Sequence, residues 1–461
     1  MRALRVTFTS TGNSYKYITN ALFAHTVYLY INRRIQHTRT PHVAQHGTDP
    51  FLPQKQWIVS FGKLVDDDSF ATRQCATALN SVFVINSGKL LAKNLGKIVP
   101  AWFAACHDED ESVSKTARDA FELVFSTNEK RLAVVTRFGD EIVKRIKDRL
   151  GGFDVSSDET VSSGTSRQNE SGTSEEKRER KERRVASAWR ALGGFAFDST
   201  NEPDGLSSEN LGLVNDALQS LPGDGICASA KSSSPKVRSA VYKCVLQIVN
   251  STGGGVDVDG TGIQSAELAN NQSQKLKRIS LFSALEEKDG SCLGDARELT
   301  LGFVEKHGRG AWENTLFPNG DDDDNGGNSE TVVDGFLQRL SEHVASGCHS
   351  AAAVSAPSVL PLLAGLPPAS LAQQAVGEVS QGNSSRAVSQ ENSSTRLANL
   401  LTSTWDGYCV CNVPSRASDA KALLNAFKEA FLFGAIVVAE ALGVRAFPTH
   451  HAPPLRLPIR D

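Results

Sequence analysis

The spacing of apolar residues constrains the fold of this chain more than any other feature of its sequence. Leu91, Leu95 and Ile98 follow one another at intervals of four and three residues, which is the spacing of one face of an α-helix. The two-residue alternation of β-strands is essentially absent, so the sequence predicts an all-α fold. The same helical intervals recur in later segments, namely 113–124, 138–150, 237–248 and 424–438.

One short stretch repeats along the chain in a way that is typical of HEAT-type helix pairs. At an offset of 42 residues Arg73 aligns with Lys115, and the acidic turn 66–68 aligns with 108–110. A third copy of the turn and helix spans residues 232–248, with Pro235 at the start of its helix. Turn residues of this kind accept hydrogen bonds from the free amides at a helix start. Because helix pairs at a fixed period stack on one another, we predict a HEAT/armadillo-like helical-repeat solenoid; a non-repetitive helical domain is the alternative.

Polar stretches rich in Ser, Gly, Asn or Asp interrupt the helical pattern, and they predict disordered insertions between the repeats. The predicted helical blocks are residues 56–150, 183–250, 276–320, 331–378 and 396–444. The predicted linkers and loops are 151–182, 251–275, 321–330 and 379–395, with an N-terminal extension at 1–55 and a Pro-rich tail at 445–461.

Charge is distributed unevenly, and this gives the first indication of a partner. The net charge of the chain is −3, yet its first hundred residues contain twelve Lys or Arg against four Asp. Lys89, Lys93 and Lys97 recur every four residues and would form a basic stripe along one helix. Such a stripe can neutralise phosphates or can simply be a solvated outer face. We therefore predict a candidate surface for a polyanionic partner there.

Several classes of protein are not supported by the sequence. No apolar run approaches the ~20 residues that cross a bilayer, and no signal peptide precedes the helices, so a cytosolic protein without a membrane partner is predicted. The eight cysteines mostly lie singly in apolar helical patterns, which is typical of reduced core residues.

Catalytic, cofactor and metal sites are not predicted either, nor is a small-molecule substrate. Gly96 and Lys97 are followed by Ile98 instead of Ser or Thr, so a phosphate-binding loop is not indicated. Cys409 and Cys411 have no second Cys or His pair at zinc spacing, and His107 fits the repeat turn better than a metal site. The run 175–184 alternates in charge and is interpreted as a solvated helix start, with a localisation signal as the alternative.

A series of sequence blocks carries a resemblance to a known family. The blocks begin at Lys63, Gly88, Arg183, Ser232, Phe282, Val359 and Arg396. The most specific one contains the helix that ends Pro100-Ala101-Trp102, then an acidic turn, and then the helix with Ala117, Ala120 and Phe121. In order and spacing these blocks resemble the N-terminal HEAT-repeat region of listerin, the RING-type E3 ubiquitin ligase of ribosome-associated quality control. The resemblance covers roughly residues 56–440, and residues 1–55 lie outside it.

The resemblance implies a partner and a division of labour. The expected partners are the 60S ribosomal subunit with a stalled nascent chain and other ribosome quality control factors. In this family the C-terminal RING binds zinc and recruits the ubiquitin-conjugating enzyme, and neither the RING nor the RWD-like domain has a counterpart in these 461 residues. The chain alone is therefore expected to lack transferase activity. A HEAT-repeat adaptor of the importin-like or general scaffold type is the alternative.

Overall fold

The fold is known from a computed structural model that describes residues 52–87, 92–151, 173–198, 208–221, 225–251, 270–312, 332–348 and 396–441. These ranges contain α-helices and short 3-10 turns, and no strand occurs within them. The prediction of an all-α fold is therefore confirmed. Helices α1 to α8 are Leu52–Leu64, Phe70–Ser87, Leu95–Cys106, Glu111–Val124, Asn128–Arg137, Gly139–Gly151, Ser174–Asp198 and Ser208–Gln219. Helices α9 to α15 are Ile226–Ala230, Pro235–Ser251, Asn270–Glu286, Gly290–His307, Val332–Ala345, Arg396–Cys411 and Ala417–Ala441.

The chain divides into two compact units. The first unit comprises residues 1–253 and 264–275, and the second comprises residues 254–263 and 276–461. The division falls inside α11, so each unit is described by itself.

The first unit opens with two helix pairs, α1 with α2 and α3 with α4, each joined by a turn of a few residues. A tryptophan joins the two helices of each pair. The Trp57 indole Nε1–H donates to Asn80 Oδ1 at 3.1 Å in the first pair, and that of Trp102 donates to the Ala117 carbonyl at 3.1 Å in the second. Trp102 is fully buried, and its ring meets Phe121 edge-on at 5.2 Å. Burial of an aromatic ring with its one polar atom satisfied fixes how the two helices face each other.

Successive pairs stack in the order of the chain. Helix α1 packs on α3 and α2 packs on α4; farther along, α6 contacts α3, α7 and α8, and α7 packs along α10. These layered contacts confirm the predicted helical-repeat solenoid. The apolar residues predicted to lie between the pairs are Ile98, Val113, Ala117 and Phe121, which are buried, and Leu95, which is half-buried. Leu91 lies outside the described residues.

Four helices begin after similar turns, which we name turn A (65–69), turn B (107–110), turn C (231–234) and turn D (287–289). They precede α2, α4, α10 and α12. In each turn, the backbone amide of the last residue donates a hydrogen bond to the side chain of the residue two positions earlier. The four pairs are Asp67 with Ser69 at 2.9 Å, Asp108 with Asp110 at 2.9 Å, Ser232 with Ser234 at 3.2 Å, and Glu287 with Asp289 at 2.8 Å.

These turns correct the alignment made from sequence. They place Asp67 on Asp108, an offset of 41 residues and not 42, so Arg73 corresponds to Ser114 and not to Lys115. Burial agrees with the shorter offset, because Ala76 is buried like Ala117, whereas Ala78, which the longer offset aligned with Ala120, is exposed. The offset of 42 was wrong because it aligned Arg73 with Lys115 by their charge, although the two residues occupy different positions in their helices.

A pair of glycines explains the close packing of α7 in the first unit. A Cβ placed on Gly193 would lie 2.8 Å from the Cys244 Cα of α10, and one on Gly194 would lie 2.0 Å from His107 Cε1. Real side-chain carbons do not approach so closely, so only glycine lets α7 reach both neighbours. Helix α7 begins at Ser174, ahead of the predicted helical block 183–250.

The second unit is built in the same manner. The Ser283 hydroxyl donates to the Ala296 carbonyl at 3.2 Å between α11 and α12, and Phe336 of α13 contacts Trp312 at 4.9 Å. A Cβ on Gly407 would lie 2.0 Å from the Val344 carbonyl oxygen, so α13 and α14 also meet at a glycine. Between α14 and α15, Trp405 contacts Phe427 at 5.6 Å. Helix pairing thus continues to the last described helix.

Candidate functional site

The lysine stripe predicted from sequence falls at the start of α3. Lys93 lies in a 3-10 turn that precedes the helix, and Lys97 lies in its first turn; both are exposed. Neither forms a salt bridge with another described residue. Lys89 lies outside the described residues, so the stripe of Lys89, Lys93 and Lys97 is seen only in part, and its role stays a prediction.

A second group of charges, which the sequence analysis missed, surrounds turns A and B. The Arg73 side chain bridges the two turns, because its Nε and Nη2 donate to the two carboxylate oxygens of Asp108 at 2.9 and 3.0 Å. Its Nη1 also donates to the carbonyls of Asp67 and Asp68. Arg73 and Asp108 are both buried, with 3% and 7% of their surfaces exposed. A two-pronged pair of this kind has its charges and its hydrogen bonds satisfied together.

Turn A also receives arginines from helices that lie far away in sequence. From α6, Arg145 donates to Asp66 at 2.7 Å and to the Gly62 carbonyl at 3.0 Å, and Arg149 binds the other oxygen of Asp66. From α7, Arg180 pairs with Asp68 at 2.5 Å. Arg183 donates to Asp68 at 3.1 Å, and Arg184 donates to the Asp66 carbonyl. We call Arg73 and these five residues the arginine cluster.

Electrostatics within the arginine cluster follow from burial. Burial lowers the pKa of Arg149, and the Asp66 carboxylate partly opposes this. Burial also lowers the pKa of Arg183, with Arg73 adding to the effect. An arginine remains protonated across the physiological range, so the cluster is a permanent set of cations arranged on the acidic turn. Such an arrangement fixes the helices relative to one another.

The charge run at 175–184 therefore has two parts. Its first residues are exposed, as the interpretation of a solvated helix start requires. Arg180, Arg183 and Arg184 instead lie against turn A, which corrects that interpretation for the second part of the run. The physical reason is that these three arginines lie on one face of α7, and the helix becomes buried immediately after them.

Side chains of α7 and α10 also bind turn B. The Glu109 amide donates to Ser187 Oγ at 3.0 Å, Arg190 donates to the Glu109 carbonyl at 3.1 Å, and Lys236 pairs with the Glu109 carboxylate at 3.1 Å. Asp110 caps α4 by accepting from Ser112 N at 2.9 Å and Val113 N at 3.4 Å. The Ser112 hydroxyl, followed by the backbone donors, lowers the pKa of Asp110.

Beside turn B a cavity of about 340 Å³ opens between α3, α4, α5, α7 and α10. Its residues include apolar Phe103, Phe121 and Phe197 and charged Arg118, Glu122 and Arg131. His107 also lines the cavity, and its ring centroid lies 4.8 Å from that of Phe103. Burial, then Arg118 and Arg190, lower the pKa of His107 to about 4, so this imidazole is neutral at physiological pH.

The described ranges contain no group of three His, Cys, Asp or Glu side chains that could hold a metal ion. Cys409 is exposed, whereas the buried Cys411 thiol donates to the Gly347 carbonyl at 2.6 Å. His450 and His451 lie outside the described residues. Of the helices that the structure describes, none is long and apolar enough to span a bilayer.

The fold and its turns define an α-helical repeat scaffold. Comparison with known families is specific: residues 42–366 match the model of the E3 ubiquitin-protein ligase listerin N-terminal domain. The match covers more than half of the chain, which therefore belongs to the listerin family. A search of curated proteins finds no match.

Proposed function

We propose that this chain is the N-terminal scaffold of a listerin-like E3 ubiquitin ligase of ribosome-associated quality control. In this role it binds, in the cytosol, a 60S ribosomal subunit that carries a stalled nascent chain. The bound scaffold positions a RING, so that the nascent chain is ubiquitinated and degraded by the proteasome. The observation that carries the proposal is the match of residues 42–366 to the listerin N-terminal domain. The same match favours this function over an importin-like adaptor.

The architecture of the first unit supports a positional role. Buried tryptophans fix the two helices within each of the first two pairs, and the contact of Arg73 with Asp108 fixes the first pair to the second. A stacked array of this kind keeps a defined reach, which is what the holder of a remote catalytic domain needs.

The exposed lysines at the start of α3 supply the contact with the ribosome in this proposal. Lys93 and Lys97 are exposed and face no carboxylate within salt-bridge distance among the described residues. Ammonium groups on a structured element neutralise RNA phosphates without reading base sequence, so the association is expected to weaken as salt rises.

Ubiquitin transfer is assigned to the RING of the family and not to the residues described here. A RING needs zinc held by Cys and His ligands, and the described residues do not fit that requirement. The ubiquitin-conjugating enzyme is accordingly a partner of the whole ligase through its RING.

The experiment that tests the proposal is cosedimentation with purified 60S subunits. The triple variant Lys89→Glu, Lys93→Glu, Lys97→Glu is compared with a control variant, Lys115→Glu with Lys421→Glu, which reverses exposed charges elsewhere. The expected result is weaker cosedimentation of the triple variant alone. Losing three phosphate contacts should also reduce the slope of log affinity against log salt by about 2. Equal binding by the triple variant, with its helical circular dichroism intact, would contradict the ribosomal role of these lysines.

A further inference from the structure

The cavity beside turn B has the composition of a site that accepts a protein side chain. At about 340 Å³ it is within the range of small binding pockets, which is roughly 300–1,000 Å³. Phe103 and Phe121 form a buried aromatic wall, and Leu132 and Val135 line the cavity from α5. The lining is thus divided between apolar side chains and polar or charged groups, which suits a segment that carries an apolar side chain beside a charged one.

Phe197, which also lines the cavity, is partly exposed. It lies near the end of α7, and 43% of its surface is accessible, whereas the two residues before it, Phe195 and Ala196, are fully buried. Aromatic side chains are enriched at the surfaces that contact protein partners.

The residues that line the cavity carry more positive than negative charge. Arg118 is exposed on α4 and has no carboxylate within salt-bridge distance among the described residues. Arg131 donates only to neutral oxygens, the Phe125 carbonyl at 3.3 Å and Asn128 Oδ1 at 3.5 Å. Glu122 is the one carboxylate among the residues that line the cavity. Two guanidinium groups against one carboxylate leave a site complementary to an acidic group.

His107 adds no charge to the cavity. Its imidazole is neutral, and α7 approaches it at Gly194, where no side chain would fit. The charge selectivity of the cavity therefore comes from Arg118, Arg131 and Glu122.

We propose that this cavity binds a protein segment that inserts one apolar side chain, of the size of Leu or Phe, with an Asp or Glu next to it in sequence. The apolar side chain lies against Phe103, Phe121 and Phe197, and the neighbouring carboxylate pairs with Arg118, with Arg131 adding positive charge nearby. This is a peptide-recognition function, and it is independent of the ribosome contact proposed for the lysines of α3. It provides a second partner for the same repeat unit.

The proposal is tested with the full chain as bait for a phage-displayed library of 16-residue random peptides. The expected result is enrichment of peptides in which an aromatic residue or Leu stands beside Asp or Glu. A fluorescein-labelled peptide with the enriched sequence is then titrated with the variants. Arg118→Glu and Phe197→Asp should each weaken binding at least tenfold, whereas the matched control Lys115→Glu on α4 should bind as the unchanged chain does.

A charge exchange keeps the test decisive even if Phe197→Asp fails to fold. Replacing the acidic residue of the labelled peptide with Lys should abolish binding to the unchanged chain and restore it to Arg118→Glu. Enrichment of basic peptides, no enrichment, or equal binding by Arg118→Glu would overturn the proposal. Self-association of the chain that Arg118→Glu abolishes would also overturn it, because the occupant would then be a second copy. Cosedimentation with 60S subunits should be unchanged in Arg118→Glu, so this result is separable from the ribosomal proposal.

Discussion

Turns B and C have the same position before their helices but are held in different ways. In turn B, Asp108 accepts the Asp110 amide and also takes the two-pronged contact of Arg73, which belongs to the preceding helix pair. In turn C, Ser232 accepts the Ser234 amide. The basic residue there, Arg238, donates to the carbonyls of its own turn at Ser232 and Ser233.

The comparison shows what a carboxylate adds at this position. A hydroxyl is sufficient to close the turn before a helix, since both oxygens accept the same amide. A carboxylate has a second oxygen and a charge, and these let it bind the neighbouring repeat as well. Turn B is therefore a link between repeats, whereas the hydrogen bonds of Ser232 and Arg238 in turn C close the start of one helix.

The largest expected effect comes from making turn B resemble turn C. Asp108→Ser keeps an oxygen for the Asp110 amide but leaves the buried Arg73 without its carboxylate, which should lower the free energy of unfolding by about 3–5 kcal/mol. Ser232→Ala removes only a turn hydrogen bond and should cost about 1 kcal/mol. Urea unfolding followed by circular dichroism measures both. Similar losses in the two variants would show that turn B is not a special link.

A smaller effect separates the two helix caps. Asp110→Ala removes a side chain that accepts two amides, so a loss of about 1 kcal/mol is expected. Ser234 occupies the same position in turn C, but its buried hydroxyl has no hydrogen-bond partner in the structure. Ser234→Ala should therefore change the free energy of unfolding by about 0.5 kcal/mol or less.

The same urea titrations compare these two variants. If Ser234→Ala costs as much as Asp110→Ala, then the two turns cap their helices alike, and the contrast between them is limited to Arg73.

Local patterns in the sequence predicted the helices, because the apolar spacing of a helix is visible within a few turns, and the recurrence of similar turns predicted the repeat. The register was wrong by one residue, since Lys115 imitates Arg73 in charge but follows it by 42 positions and not 41. The contacts of the arginine cluster could not be predicted, because Asp66 meets Arg145 and Arg149 from 79 and 83 residues away. One signal was available: Arg180, Arg184 and Ser187 share a helical face that leads into a buried stripe.

The cavity beside turn B illustrates a further limit of the sequence. Its residues come from five helices, and Phe121 and Leu132 are indistinguishable in sequence from ordinary core positions. Only the close approach of α7 at Gly194 brings Phe197 to the edge. The Gly193-Gly194 pair belongs to a block that resembles listerin. The spacing of residues in that block, however, does not predict that α7 packs closely on its neighbours at these glycines.

The central claim is that Arg73 and Asp108 couple the first two repeats, and a double-mutant cycle tests it most directly. The free energy of unfolding is measured by urea titration for the unchanged chain, Arg73→Leu, Asp108→Leu and the double variant. If the pair is the link, each single variant leaves a buried charge without its partner, and the double variant removes both charges. The predicted result is a double variant more stable than either single one, with a coupling energy of about 2–3 kcal/mol. Additive losses, with a coupling energy below about 0.5 kcal/mol, would contradict the claim.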